Sequence, residues 1–155
     1  MARGIQRGNI KILFCPAVAN VHAPTAAELT AGTDITGDVG ELDGWTFNST
    51  QIDTPDMATR QTKKIPGPDE AADSSFTLYE DDTTNPLRSL LEKDVVGFVV
   101  FTGLKGLTTA GSAVDVFPVQ VSGNNRLYSA GNEAARFRVQ FSIDDEVGVD
   151  ATVAA

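Results

Sequence analysis

The residues able to do chemistry in this chain are few and poorly placed for it. A Ser/His/acid triad has one histidine to draw on, His22, which sits among Asn20, Val21, Ala23 and Pro24 with no nucleophile-elbow pattern nearby. The single cysteine, Cys15, rules out an internal disulfide, and with one histidine the usual Cys/His zinc sites are ruled out too. Gly106 and Gly111 have the spacing of a phosphate loop, but the lysine is missing and the segment leads into a strand pattern rather than a helix. The acidic stretch holding Asp34, Asp38, Glu41 and Asp43 fails as a calcium loop: Thr36 occupies the third position, where a ligand is needed, and Val39 the sixth, where glycine is needed. Asp81-Asp82 and Asp144-Asp145-Glu146 are neighbours that a strand points to opposite faces, so they are poor acid/base pairs. Asn48-Ser49-Thr50 is a glycosylation sequon inside a strand pattern. Arg60, Lys63 and Lys64 are too few, and lack the interleaved aromatics, for a nucleic-acid patch. The expectation is no catalytic residue, no metal and no cofactor.

Composition points the same way. A chain of 155 residues suits one domain, and at this size roughly 68–70% of the unfolded surface is buried. Lys and Arg number 12 against 21 Asp and Glu, a net charge of −9. That balance disfavours a protein that grips nucleic acid by counterion release, and suits one that must stay soluble or repel a polyanion. The strongest apolar run, residues 95–101, is far too short for a membrane-spanning helix, so no membrane insertion is expected. Arg3, Arg7 and Lys11 before residues 12–19 outline a signal peptide. However, Pro16 and Asn20 break its apolar run, and Cys15 lacks the small preceding residue of a lipoprotein signal.

The elements that position these residues are short, rich in Val, Phe, Ile and Thr, and punctuated by Gly, Pro and Asp, as in a mainly β domain. Strands are predicted over 9–15, with Ile10, Ile12 and Phe14 on one face; 45–54, with Trp45 and Phe47 opposite Thr46, Asn48 and Thr50; 74–80; 95–102; 113–121; and 133–144. The last has the cleanest alternation, Phe137, Val139, Phe141 and Ile143 against Arg136, Arg138, Gln140 and Ser142. Pro118 argues for an edge or bulge. Residues 24–29 read as a short helix or turn with Pro24 near its first position, closed by Gly32. The one firm helix spans 85–92: Asn85 as N-cap, Pro86 at the first position, and Leu87, Leu90 and Leu91 on one face. Residues 34–43 and 122–131 read as solvated turns and loop. Residues 55–73 read as a long polar loop with only Met57 and Ile65 as candidate core residues. About six strands and a flanking helix close most naturally as a β-sandwich.

In order and spacing, these blocks resemble phage tail tube proteins. The likeness lies in Pro24-Thr25-Ala26-Ala27-Glu28-Leu29 running on to Asp34-Ile35-Thr36, and in the strand from Trp45 to Pro55 with its long polar sequel. It continues through Ser74-Ser75-Phe76-Thr77-Leu78, the short helix, Gly97-Phe98-Val99-Val100-Phe101, Val116-Phe117-Pro118-Val119-Gln120-Val121 and Ala135-Arg136-Phe137-Arg138-Val139-Gln140-Phe141. The resemblance covers nearly the whole chain. It implies a mainly β (α+β) fold: a β-sandwich of two packed sheets with one flanking short α-helix, as one tail-tube domain over 1–155. It also implies an N-terminal arm over about 1–8 and a C-terminal tail over about 147–155.

The implied function is that of a siphovirus-like major tail tube subunit. Hexameric rings stack into a hollow tube that holds the tape measure protein and conducts double-stranded DNA at ejection without binding it specifically. The implied partners are further copies of the chain and the tail terminator and distal tail proteins. The implied location is the virion tail, assembled in the host cytoplasm. Pro55, Asp56, Met57, Thr59, Arg60, Lys63, Lys64, Ile65, Pro66, Gly67 and Pro68 then become an inter-subunit arm, and Asp43, Asp53, Asp73, Glu80 and Asp144 candidate lumen-lining acids. Arg136 and Arg138 sit awkwardly with an anionic lumen unless a neighbouring subunit or nearby acids offset them. The alternatives are another virion sandwich (a tail terminator, a distal tail subunit, a sheathed or secretion-type tube) or a carbohydrate-binding or decoration module, which would show exposed aromatics.

Overall fold

The structure is a computed structural model that describes residues 2–84 and 86–155. Ten strands and two short helices follow one another: β1 (Ile12–Cys15), α1 (Ala26–Thr30), β2 (Thr33–Asp34), β3 (Val39–Asp43), β4 (Phe47–Thr54), β5 (Lys63–Ala71), β6 (Ser74–Tyr79), α2 (Pro86–Leu90), β7 (Val96–Thr102), β8 (Ala113–Leu127), β9 (Arg136–Ile143) and β10 (Gly148–Thr152). Strand makes up 46% of the chain and helix 8%, so the protein is mainly β, as expected. Eight strands form one antiparallel sheet, β2-β1-β7-β8-β9-β6-β3 with β10 added beside β8, while β4 and β5 pair only with each other.

The large sheet folds onto itself. In strand order β6 and β7 are three steps apart, about 14 Å in a flat sheet, yet the rings of Phe76 and Phe101 lie 6.0 Å apart. One layer is therefore β2, β1, β7 and the first half of β8; the other is the second half of β8 with β9, β6 and β3. Between them lies a core of Ile12, Phe14, Val99, Phe117, Phe76, Leu78, Phe137, Val139 and Phe141. This is the expected β-sandwich.

The hinge is β8. Its first half has β10 as neighbour, at Val114 and Val116, and its second half has β9, from Val119 onward. Pro118 stands where one neighbour gives way to the other, so its missing N–H interrupts no continuous ladder. In place of the expected edge or bulge, Pro118 marks a change of partner within a central strand. β8 also runs through Leu127 where a loop from 122 was expected, with a register shift between Val121 and Gly123.

Trp45 explains how the chain leaves this body. It was expected to lead the strand alongside Phe47; instead Gly44 and Trp45 both have left-handed backbone, φ 83° and 61°, ahead of β4. At Gly44 a Cβ would lie 2.2 Å from the Asp73 carbonyl oxygen, so only glycine fits. At Trp45 the strain is offset. Its backbone N–H donates to Ser74 Oγ at 3.1 Å, its indole N–H donates to the Ser75 carbonyl at 3.2 Å, and its ring stacks on Phe76 at 4.6 Å and meets Phe101 and Phe117 edge-on.

The outer face of the first layer is also buried. Leu13, Cys15, Val100, Val114 and Val116 pack beneath Leu29 of α1 and beneath Ala151 and Val153. This is why β1 reads as an unbroken apolar run: both its faces are covered. Pro24 precedes α1 rather than opening it. Thr25 is the N-cap and closes a capping box with Glu28. The segment expected as a C-terminal tail from 147 carries β10, and Val147, Ala151 and Val153 are buried. Residues 34–43, expected as a solvated turn, form part of β2, a 3-10 turn and β3. The expected helix appears as α2, with Leu87 and Leu91 buried and Leu90 packed on the core; its proposed cap, Asn85, lies outside the described residues.

Candidate assembly surface

The segment expected as a loop over 55–73 is half of a β-hairpin. β5 folds back on β4 from Phe47–Ala71 at the base to Thr54–Lys63 near the tip. The hairpin's inner end is anchored, since Phe47 and Ala71 pack against the sandwich core. Beyond that point it stands free. Ile52 and Ile65 face each other across the ribbon, 44% and 49% exposed, and belong to neither apolar cluster of the chain. Gly67 keeps this patch flat, because a Cβ there would meet the Ile52 side chain at 2.9 Å. Met57 at the tip is fully exposed.

The tip is nevertheless ordered by its own polar groups. The Asp56 carboxylate accepts from the backbone N–H groups of Ala58 and Thr59, both at 2.9 Å, and lies 3.4 Å from Lys63 Nζ. Those hydrogen bonds, the Thr59 amide foremost, hold its carboxyl below the usual range. Arg60, Thr59, Lys64, Pro66 and Pro68 are exposed along the same ribbon. The prolines also remove donors from the outer edge of β5, which discourages indiscriminate pairing there.

A second surface is the outer face of β3, β6 and β9. The strict alternation of β9 sends Phe137, Val139 and Phe141 inward and Arg136 and Arg138 outward. Nearby acids hold both arginines. Arg136 donates to Glu133 Oε2 at 2.9 Å and lies 3.8 Å from Glu41; Arg138 donates to Ser75 Oγ at 3.1 Å and lies 3.6 Å from Asp43. Glu41, Asp43 and Glu133 thus outnumber the two arginines they surround.

The five acids singled out from the sequence are dispersed. By strand register, Asp43, Asp73 and Asp144 fall toward one end of the β3–β6–β9 layer and Glu80 at the other. Asp53 rides on the hairpin, 3.8 Å from Lys64. Glu80 accepts from Arg126 Nε at 3.0 Å. Glu41 on this surface escaped the sequence because β3 was taken for a turn; the apolar Val39 and Leu42 inside that acidic stretch were the available signal.

The reactive residues are inert or remote. Cys15 is fully buried, and burial, with the charge of Glu28 adding, pushes its thiol up to about 11. His22 lies on the surface 3.1 Å from Glu146. No helix among the described residues is long and apolar enough to cross a membrane.

A family model described as phage tail tube protein matches residues 1–155, the whole chain. The chain belongs to the phage tail tube protein family. No curated protein matches it. As a tail tube protein it is a structural component of the phage tail, and its class of function is self-assembly into a tube.

Proposed function

We propose that six copies of this subunit close into a ring, that rings stack into a hollow tube, and that the β4–β5 hairpin is the arm by which one subunit grips another. The observation that carries the reading is the Ile52–Ile65 pair, an apolar patch on a two-stranded ribbon that touches its own sandwich only at the base. An isolated two-stranded hairpin is marginal in water and gains stability from a third surface; in a tube the neighbour supplies it. Ring closure answers the open edges of the sandwich in the same way. Deleting residues 59–70 is the direct test. The variant is expected to remain a folded monomer in light scattering and to form no tubes in negative stain; full-length tubes from it would overturn the reading.

The channel of this tube holds the tape measure protein during assembly in the host cytoplasm and conducts double-stranded DNA at ejection, with tail terminator and distal tail proteins at its ends. Its lining is net anionic. Support comes from the chain's charge of −9 and from the β3–β6–β9 face, where three acids surround two arginines. Each cation held against the phosphate track would add counterion-release affinity, repeated in every ring. Repulsion instead keeps the duplex mobile, over a screening range of about 8–10 Å. A reconstruction of the assembled tube tests this through its lumen potential. A net positive lumen, with Arg136 and Arg138 pointing inward unpaired, would refute it.

A further inference from the structure

A groove of about 680 Å³ runs between the N-terminal segment and β3. Its floor is Ile10, Ile12, Val39, Leu42 and the ring of Tyr79. Ile12 is core, while Leu42 and Tyr79 are 47% and 45% exposed, so the core surfaces here as an apolar trough. β3 is the last strand of its layer, and among the described residues no strand pairs with its outer edge. The flanking residues 34–43 hold Asp34, Asp38, Glu41 and Asp43 and no cation; on the opposite wall stands Arg7.

The hairpin tip has the complementary character. Residues 55–64 carry Arg60, Lys63 and Lys64 against Asp56, a net charge of +2 in a chain of net −9. Among these charges Met57 projects fully into solvent. A flexible thioether side chain is well suited to filling an irregular apolar trough.

We propose that this groove receives the tip of the β4–β5 hairpin from a second copy of the chain, with Met57 on the apolar floor and Arg60 against Asp38 at its rim. The inference rests on reading the hairpin as an inter-subunit arm and adds where that arm lands. The chain's own tip cannot serve. The hairpin's base joins β3 through Gly44 and Trp45, and its tip lies about 25 Å further out along extended strands, so folding back would dismantle the β4–β5 pairing. The contact joins two different surfaces, so repeated head to tail it propagates into rings and open polymers.

Site-directed cross-linking tests it, because the sole native cysteine is buried. Full-length Met57→Cys chains and separately tagged Leu42→Cys chains are co-assembled and treated with a short bis-maleimide. The expected result is a mixed-chain product about tenfold above that from Met57→Cys with Lys93→Cys, reflecting a high effective concentration at the docking site. If Leu42→Cys chains fail to co-assemble, Gly37→Cys replaces them, since a Cβ there meets nothing within 4 Å. Tubes in which the Met57–Leu42 or Met57–Gly37 product does not exceed the control place the arm elsewhere and overturn the docking site alone. Tubes that form normally without residues 59–70 overturn the arm reading and this inference with it. A charge exchange gives an independent readout: Arg60→Glu and Asp38→Lys each lower polymer yield, and the double variant recovers it. Failure of recovery would count against the pairing.

Discussion

β6 and β5 are consecutive strands with opposite fates. In β6, Phe76 and Leu78 are fully buried, and even the outward Ser75 and Thr77 are more than nine-tenths covered. In β5, which ends just before β6 on the far side of Ala72 and Asp73, all but Gly67 and Ala71 are exposed. Pattern is the lesser difference: β6 alternates Phe76 and Leu78 with Ser75 and Thr77, whereas β5 carries Ile65 as its one large apolar residue. What separates them is company: β6 has β3 and β9 on either side and a second layer beneath, whereas β5 has β4 alone. The sandwich is stable within one chain because its apolar side chains find partners there. The hairpin carries its apolar side chains to a place where the described residues offer none, and on the proposed reading a neighbouring subunit supplies them.

The contrast breaks most visibly under truncation. Phe76→Ala removes a ring that packs on Trp45, Phe101 and Phe141, and is expected to cost about 3–5 kcal/mol in denaturant unfolding of the isolated subunit. Ile52→Ala is expected to change subunit stability by no more than about 0.5 kcal/mol while sharply reducing tube formation by light scattering. A large loss of subunit stability from Ile52→Ala would mean that the hairpin is part of the monomer's core after all. Next in size comes the joint between the regions. Gly44→Ala forces a Cβ into the Asp73 carbonyl at left-handed backbone, for an expected loss of about 1–3 kcal/mol. A wild-type midpoint would show that the joint has slack to absorb the added methyl group.

The two regions also differ in how legible they were. The sandwich strands followed from period-two alternation, clearest in β9, because one buried face imposes that pattern. β3 escaped because its burial is partial and its glycines and acids mimic a turn. β5 escaped because Pro66-Gly67-Pro68 is a strong turn signal, and a ribbon without a core imposes no apolar periodicity to overrule it. β10 escaped because only Gly148 and Ala151 of its five residues are buried, and they are buried by pairing with β8, a long-range event invisible in five residues. The acids chosen as channel-lining were chosen for lying at strand ends. Register scatters them, since strand ends meet only where topology brings them together.

The smallest expected effect compares the same device in both regions. Glu28 in the sandwich and Asp56 in the hairpin each accept backbone N–H groups, and each carboxyl is held below its usual range chiefly by those bonds, from Thr25 and Thr59 respectively. A depressed carboxyl contributes stability that is present above its unfolded pKa and lost as pH falls through its folded value. For Glu28 the loss begins below about pH 4.3, and for Asp56 below about pH 3.9. Only Glu28 is tied to the cooperative unit, because the helix it caps covers Leu13, Cys15 and Val100 through Leu29. Thr25→Ala is expected to cost about 1 kcal/mol at neutral pH, and Glu28→Gln to lower stability at pH 7 and to converge with wild type under acid. Asp56→Asn is expected to leave the unfolding midpoint unchanged at every pH and to raise amide exchange at Ala58 and Thr59 only. If Asp56→Asn instead shifted the global midpoint as Glu28→Gln does, the hairpin and the sandwich would be one cooperative unit, and the division between a body that folds alone and an arm completed by its neighbour would have to be given up.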